Sequence, residues 1–306
     1  MSRKQAPTLH IEWSSTCVAA VDIVTGQNSE AGSVAALGPI LNGHKQALVG
    51  VSRSQVFLRT VRLPRAEPAD LRRIVEVQLA HYFPLPPFEL SFDCVQTADR
   101  TDEGFLTILA AIRTDDLKRL RADLKQVGIS PTRTLPVALG AQAVAAHSGV
   151  EDAVVVSDSV TGLALDVVQG GALRFSRLVP TDSDPLTEAK RTLAGARIDD
   201  LPLLAVGELS LPGALPASGA ALDRLHEAPE FDFELAEDRL RVARQQVGAA
   251  TRRAVLLLAA AALLAVYVWS DRTASMAALE SGQASWNRKQ ATLRSEERAE
   301  SDTVQT

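Results

Sequence analysis

The sequence predicts an α/β body of duplicated layout, followed by one membrane-spanning helix and a short helical tail. Three observations carry that expectation. Segments with strand patterns alternate with segments of helical period. The order of several strands followed by a helix occurs twice, which suggests a repeated α/β layer. Residues 254–270, "AVLLLAAAALLAVYVWS", then run without a single charge.

Composition bounds the function classes. A chain of 306 residues with 46% hydrophobic content has enough apolar surface for one large or two ordinary domains. Its net charge of -5 and the lack of a basic patch interleaved with aromatics argue against a nucleic-acid partner. Cys17 and Cys94 stand far apart with no CxxC or Cys/His companion, so they read as reduced thiols of a reducing compartment.

Taken in order, "TLHIEWSSTCVAAVDIVTG" reads as strand, tight turn and strand, and "QALVGVSRSQVFLRTVRLP" is strand-like again. From Pro68, "PADLRRIVEVQLAHYF" places Leu71, Ile74, Val75, Gln78, Leu79 and Tyr82 near one stripe of a helix. Pro84, Pro86 and Pro87 then stop it, because proline lacks the amide donor and its ring clashes with the preceding turn. "ELSFDCVQ" alternates, and a hairpin-like "TADRTDEG" leads into the continuous apolar strand "FLTILAAI". In "TDDLKRLRADLKQVG", Thr114 is the expected N-cap, Leu117, Leu120, Leu124 and Val127 share one face, and Gly128 is the stop.

A second block opens with the small-residue helix "PVALGAQAVAAH". The strands "DAVVVSDS", "GLALDVVQ" and "ALRFSRLVP" follow, with Gly170 and Gly171 as the last turn. "DPLTEAKRTLAGARI" is helical, "LPLLAVGE" a strand, and "LPGALPASGAAL" loop-like.

The apolar run spans about 25 Å as a helix, at the short end of what crosses a bilayer. Arg239, Arg241, Arg244, Arg252 and Arg253 precede it, with Arg272, Arg288 and Lys289 after it. That bias puts the N-terminal part in the cytoplasm. Arg252 and Arg253 at one end, with Tyr267 and Trp269 at the other, are the expected membrane anchors. Beyond it, Met276, Leu279, Gln283, Trp286, Gln290 and Leu293 form a weak heptad, suited to a partner helix or to a solvated stalk.

Two stretches, "LRRIVEVQLAHYFPLPPFELSFDCV" and "DAVVVSDSVTGLALDVVQGGALRFSRLVP", resemble the PilM-like type IV pilus assembly proteins and the related L component (GspL-like) of type II secretion systems. The first is similar to that family's helix, proline corner and strand, the second to its strands joined at a Gly-Gly turn. The likeness covers roughly residues 8–210. It implies an actin-like fold: two ribonuclease-H-like subdomains and a small inserted one. The expected boundaries are 1–228 for the actin-like domain with the insertion at about 64–136, 229–253 for a juxtamembrane linker, 254–270 for the membrane helix and 271–306 for a periplasmic helical tail. In "EFDFELAEDR", Phe231, Phe233 and Leu235 alternate on one face and either add to a sheet edge of the same molecule or belong to a polar connector.

Nucleotide hydrolysis in such a fold needs two small-residue turns that bring phosphates to backbone amides, each with an aspartate to organise magnesium. Here the first reads Glu12-Trp13-Ser14-Ser15, with an indole expected to obstruct phosphate, and the second Ser157-Asp158-Ser159. Both depart from the family pattern, so no cofactor is expected and ATP is disfavoured. The histidines show no metal-ligand spacing, and neither GxSxG nor GxxxxGK[ST] occurs.

The resulting expectation is a non-enzymatic, single-pass platform of the bacterial inner membrane, N-terminus cytoplasmic and C-terminus periplasmic. The resemblance implies a secretion or pilus motor ATPase and a second bitopic inner-membrane subunit as partners, and is compatible with a homodimer. The alternatives are an active membrane-tethered actin-like ATPase and a generic anchored interaction or regulatory module.

Overall fold

The structure, a computed structural model, describes the backbone of residues 7–198, 200–207, 209 and 211–303, and their side chains except at 241–254 and 293–303. It divides into two units, Met1–Asp238 and Arg239–Thr306.

The first unit opens with a meander of β1 (Leu9–Trp13), β2 (Val18–Asp22) and β3 (Asn28–Ala31), each antiparallel to the last. β4 (Gln46–Val51) then lies parallel to β1. With β2 on one side and β4 on the other, β1 is central, and all five of its residues are buried. A 3-10 turn at Arg53–Gln55 breaks what reads as one strand-like segment and sends the chain into a separate sheet. That insertion holds β5 (Val56–Leu63), α1 (Pro68–Val77), α2 (Leu79–Tyr82), β6 (Leu90–Thr101) and β7 (Gly104–Arg113), in the strand order β5-β7-β6. The chain returns through α3 (Thr114–Gln126) to β8 (Ser130–Pro136), which pairs parallel to β4 and completes the order β3-β2-β1-β4-β8.

After α4 (Gly140–His147) the plan repeats. β9 (Ala153–Ser159), β10 (Gly162–Gln169) and β11 (Ala172–Val179) form an antiparallel meander. α5 (Pro185–Ala196) follows, and β12 (Leu203–Ala205) and the short β13 (Leu215–Pro216) pair in parallel beside β9. The order β11-β10-β9-β12-β13 is that of the first sheet, strand for strand, so the expected duplication is present. Gly170 and Gly171 make the β10–β11 turn with φ of 60° and 68°, as a two-residue hairpin with both φ positive requires.

The continuous apolar pattern of β7 has a physical cause. Ile108, Ala110 and Ile112 belong to the core of the first sheet, while Leu109 and Ala111 belong to the insertion's own core with Leu71, Val75, Leu79, Phe83 and Phe92. Successive side chains point to opposite faces, and here both faces are covered. The 68–83 helix breaks at Gln78 into α1 and α2, and Phe83 turns extended ahead of the prolines. Arg72 holds the corner to the sheet: its guanidinium pairs with Asp93 at 2.5 Å and lies 4.6 Å over the Phe92 ring.

Several expectations are corrected. The insertion spans β5 to β7 from Val56, rather than 64–136, because β8 belongs to the first sheet. Thr114 is the first helical residue of α3, not its cap; Arg113 holds that position and makes no side-chain cap. "TADRTDEG" is mostly strand, since β6 continues to Thr101 past an irregularity between Gln96 and Arg100. The folded body extends to Asp238 instead of ending at 228, because Phe231 and Phe233 are buried in it.

The described residues of the second unit lie within one uninterrupted helix, α6 (Ala236–Thr303), with no break at residue 270. It contains a stretch long and apolar enough to cross a membrane, whose side chains are all exposed in the chain alone. Tyr267, Trp269, Met276, Leu279 and Trp286 are exposed along it. The side chains of Arg252, Arg253 and Leu293 lie outside the described residues.

Candidate functional site

The two meanders bring their first turns face to face, and side chains join them. Glu12 ends up buried near the end of β1, where Ser159 of β9 donates a 2.6 Å hydrogen bond to its Oε1. Ser52, just after β4, shares a 3.0 Å hydroxyl contact with Thr161 of the opposite turn, and Thr161 donates to Ser54 at 3.3 Å. Deeper, the Arg53 guanidinium pairs with Asp166 of β10, its Nε donating to Oδ1 at 2.9 Å and Nη2 bonding Oδ2. Both side chains are almost wholly buried, at 5% and 0% exposure. Ser176 of β11 donates a further 2.6 Å bond to Asp166. These links tie the first half to the second across the cleft.

Burial pushes the Glu12 carboxyl above its ordinary range, against the pull of Arg53 and the hydroxyls of Ser159 and Ser52. Arg53 thus acts on two buried carboxylates, Glu12 and Asp166. It supplies the positive charge that such a pair requires.

The first turn spends its own donors. The Ser14 amide donates to the Cys17 carbonyl at 3.0 Å, and the Ser14 hydroxyl accepts from the amides of Cys17 at 2.9 Å and Thr16 at 3.3 Å. Amides committed in this way are not free to cradle an anion. Ser15 is exposed and accepts from Gln55 at 3.2 Å. The second turn is a tight hairpin with Ser159 opposite Gly162. Ser157 is buried beside it, while Asp158 is exposed. Strand alternation puts Asp158 on the face opposite Ser159, and so away from Glu12.

Trp13 is a correction. Its ring does not stand over the turn; it is buried in the first sheet's core, and its Nε1 donates to Asp123 of α3 at 3.1 Å. Among the described residues no three His, Cys, Asp or Glu side chains are grouped to hold a metal ion. Cys17 and Cys94 are free, and burial pushes the Cys94 thiol up to about 12.

A second feature is the strap at residues 229–238. The Phe233 amide donates to the Thr134 carbonyl at 2.6 Å, and the Thr134 amide donates back to Asp232 at 2.7 Å, along the free edge of β8. Phe231 and Phe233 are 2% and 0% exposed and stack edge to face at 5.2 Å. Leu235 is half-buried against the same core. Arg133 donates to the Pro229 carbonyl at 2.8 Å, and Arg121 pairs with Asp238. Of the two readings of this segment, docking on a sheet edge of the same molecule is the one realised.

Asp232 and Asp93 meet under the strap, the Asp232 amide donating to Asp93 at 2.8 Å. Burial pushes Asp232 up to about 6 from its ordinary 3.8, with Glu234 and Asp93 adding to the rise, and burial raises Asp93 as well. The folded state therefore holds the proton more tightly than the unfolded one. Its stabilising effect is complete below 3.8 and is lost as pH rises through about 6. Amide exchange at residues 229–235, corrected for intrinsic rates, should be slower at about pH 5 than at about pH 7.5. Asp232→Asn, which keeps the acceptor for Thr134, should flatten that dependence; an unchanged profile would refute the assignment.

Arg53, Asp166, Ser52 and Thr161 were not among the residues the motifs pointed to. One signal was available: Asp166 is the single charge in the apolar strand "GLALDVVQ", and a lone buried charge demands a partner.

No family model matches the sequence, and comparison with characterised proteins finds no match. Solved structures do match the fold, among them the following two. The PilM-PilN type IV pilus biogenesis complex aligns with a TM-score of 0.52 at 15% identity, over 66% of this chain and 82% of that one. The cytoplasmic domain of EpsL, an inner membrane component of the type II secretion system of Vibrio cholerae, aligns with a TM-score of 0.52 at 16% identity, over 75% of this chain and 98% of that one. The chain has the actin-like fold of these two structures, and carries in addition a helix that qualifies as a membrane span.

Proposed function

We propose that this chain is a non-enzymatic, single-pass platform protein of a type II secretion or type IV pilus assembly machine. The reading places the body in the cytoplasm and the C-terminal part of α6 in the periplasm, so that the protein links a motor ATPase to envelope components. The membrane-spanning length of α6 and the periplasmic length beyond it, with Met276, Leu279 and Trp286 exposed on the latter, then pair with a second bitopic subunit. What supports a role in such a machine is the fold shared with PilM and EpsL.

The observation that carries the non-enzymatic part is the cross-cleft set of Glu12–Ser159, Ser52–Thr161 and Arg53–Asp166. Groups that would meet phosphates and magnesium meet each other instead, and opening the cleft would part Arg53 from Asp166 and leave it Glu12 alone as counter-charge. Full-length protein in lipid nanodiscs should show no saturable Mg-ATP binding by calorimetry up to millimolar nucleotide. Micromolar binding with turnover would replace this reading with that of a tethered ATPase. The orientation has its own check: Ser281→Cys should react with a membrane-impermeant maleimide from the periplasmic side of intact cells, and reaction only after lysis would reverse the topology.

A further inference from the structure

The proline corner leads to a second cleft that the cross-cleft contacts do not fill. β5 is the outer strand of the inserted sheet and β11 the outer strand of the second meander, so each has one free edge. They touch where the Thr60 hydroxyl donates to the Arg174 carbonyl at 3.0 Å. Beside that contact lies a cavity of about 420 Å³, bordered by residues 56–59 of β5 and 175, 176 and 178 of β11, with Phe83 and Pro84 of the corner in its wall. β5 runs toward the Thr60 contact and β11 away from it.

The lining is apolar and positively charged. Phe57, Phe83 and Phe175 supply aromatic surface, and among the described residues no carboxylate borders the cavity. Of its two arginines, Arg53 is matched by Asp166. Arg59 is exposed and its side chain has no ion pair or hydrogen bond among the described residues, in a chain whose net charge is -5. Free strand edges offer rows of unpaired N–H and C=O groups that an extended chain satisfies and a hydrocarbon does not. The molecule already seats one such segment, since the acidic, aromatic strap docks on the edge of β8.

We propose that the cleft between β5 and β11 is a docking site for an extended, acidic peptide of a partner protein, with alternating apolar side chains entering the cavity and a carboxylate on Arg59. The four residues of β5 at its border match a strand of about 13 Å.

The test uses the full chain in nanodiscs and a fluorescein-labelled peptide of sequence Asp-Phe-Asp-Phe-Asp, followed by anisotropy and amide exchange. Saturable binding is expected, with protection at 56–59 and 175–178. Arg59→Glu should weaken it at least about tenfold, or about 1.4 kcal/mol. Arg59→Gln should fall between, and Lys-Phe-Lys-Phe-Lys should favour the Glu variant. Because Arg59 is exposed and unpaired, both variants should keep the parent circular dichroism. Absence of saturable binding would overturn the proposal, as would equal binding by Arg59→Glu or protection at the β8 edge instead. So would displacement by dodecanoate at lower concentration than by unlabelled peptide, which would assign the cavity to a small amphiphile.

Discussion

Asp166→Ala is expected to destabilise the body by about 3–5 kcal/mol, the cost of leaving a buried charge without its partner. The Arg53 side chain is only 5% exposed, and without Asp166 it keeps Glu12 as its remaining counter-charge. Glu12 is itself shared with Ser159, so the compensation is partial. Amide exchange of β9 and β10 in the full chain should accelerate by roughly a hundred- to several thousand-fold, at 1.4 kcal/mol per factor of ten. The double variant Arg53→Met with Asp166→Leu separates charge from packing. Replacing a buried pair by apolar groups of similar volume is often close to neutral. Here it orphans the Ser176 hydroxyl and takes the counter-charge from buried Glu12, which then takes up a proton, so the double variant should lose some stability but less than Asp166→Ala. If single and double variants lose the same stability, the pair is not acting through charge compensation.

That comparison bears on function as well as stability. In a cleft built to open and close around a ligand, the cross-cleft contacts would have to break at every cycle. Contacts as deeply buried as Arg53–Asp166 make breaking costly, which suits a body that presents fixed surfaces.

Much of this fold was legible in local pattern. The β10–β11 turn was visible as Gly170-Gly171, and β1, β2, the second meander and α5 appear where strand and helix periods put them, whereas the polar edge strand β3 carries no such pattern. What local pattern does not carry is partition between sheets. β4 and β5 read as one strand-like stretch because both are apolar, and only the turn at Arg53–Gln55 separates them. The fate of a large side chain was similarly hidden. Trp13 sits beside the turn in sequence, but it is on β1 and its pleat aims it into the core toward Asp123, so adjacency misplaced it. The cross-cleft pairs join residues more than a hundred positions apart, a separation that no spacing rule reaches. The strap was readable because its period of two survives in Phe231, Phe233 and Leu235, although the edge that receives it was not.

Phe233→Ala should be the other severe lesion, at about 3–5 kcal/mol for a fully buried phenylalanine. Its ring is 0% exposed and packs against Phe231, so truncation leaves a void under a short segment held to β8 by few backbone bonds. A strap so thinly bonded depends on its two rings, and losing one should release the segment before the sheets unfold. Amide exchange would therefore show a sequence of effects: residues 229–235 and the Thr134 amide lose protection first, and β1 follows to a lesser degree. Asp232 should then return toward 3.8, because its elevation comes from burial of the strap against the body, and the pH dependence of strap exchange should flatten as it does in Asp232→Asn. Phe231→Leu, which keeps most of the volume, should cost less than about 1.5 kcal/mol. Were Phe233→Ala to leave exchange at Thr134 and 229–235 unchanged, the segment would be a connector lying on the body, and the extension of the folded unit to Asp238 would have to be withdrawn.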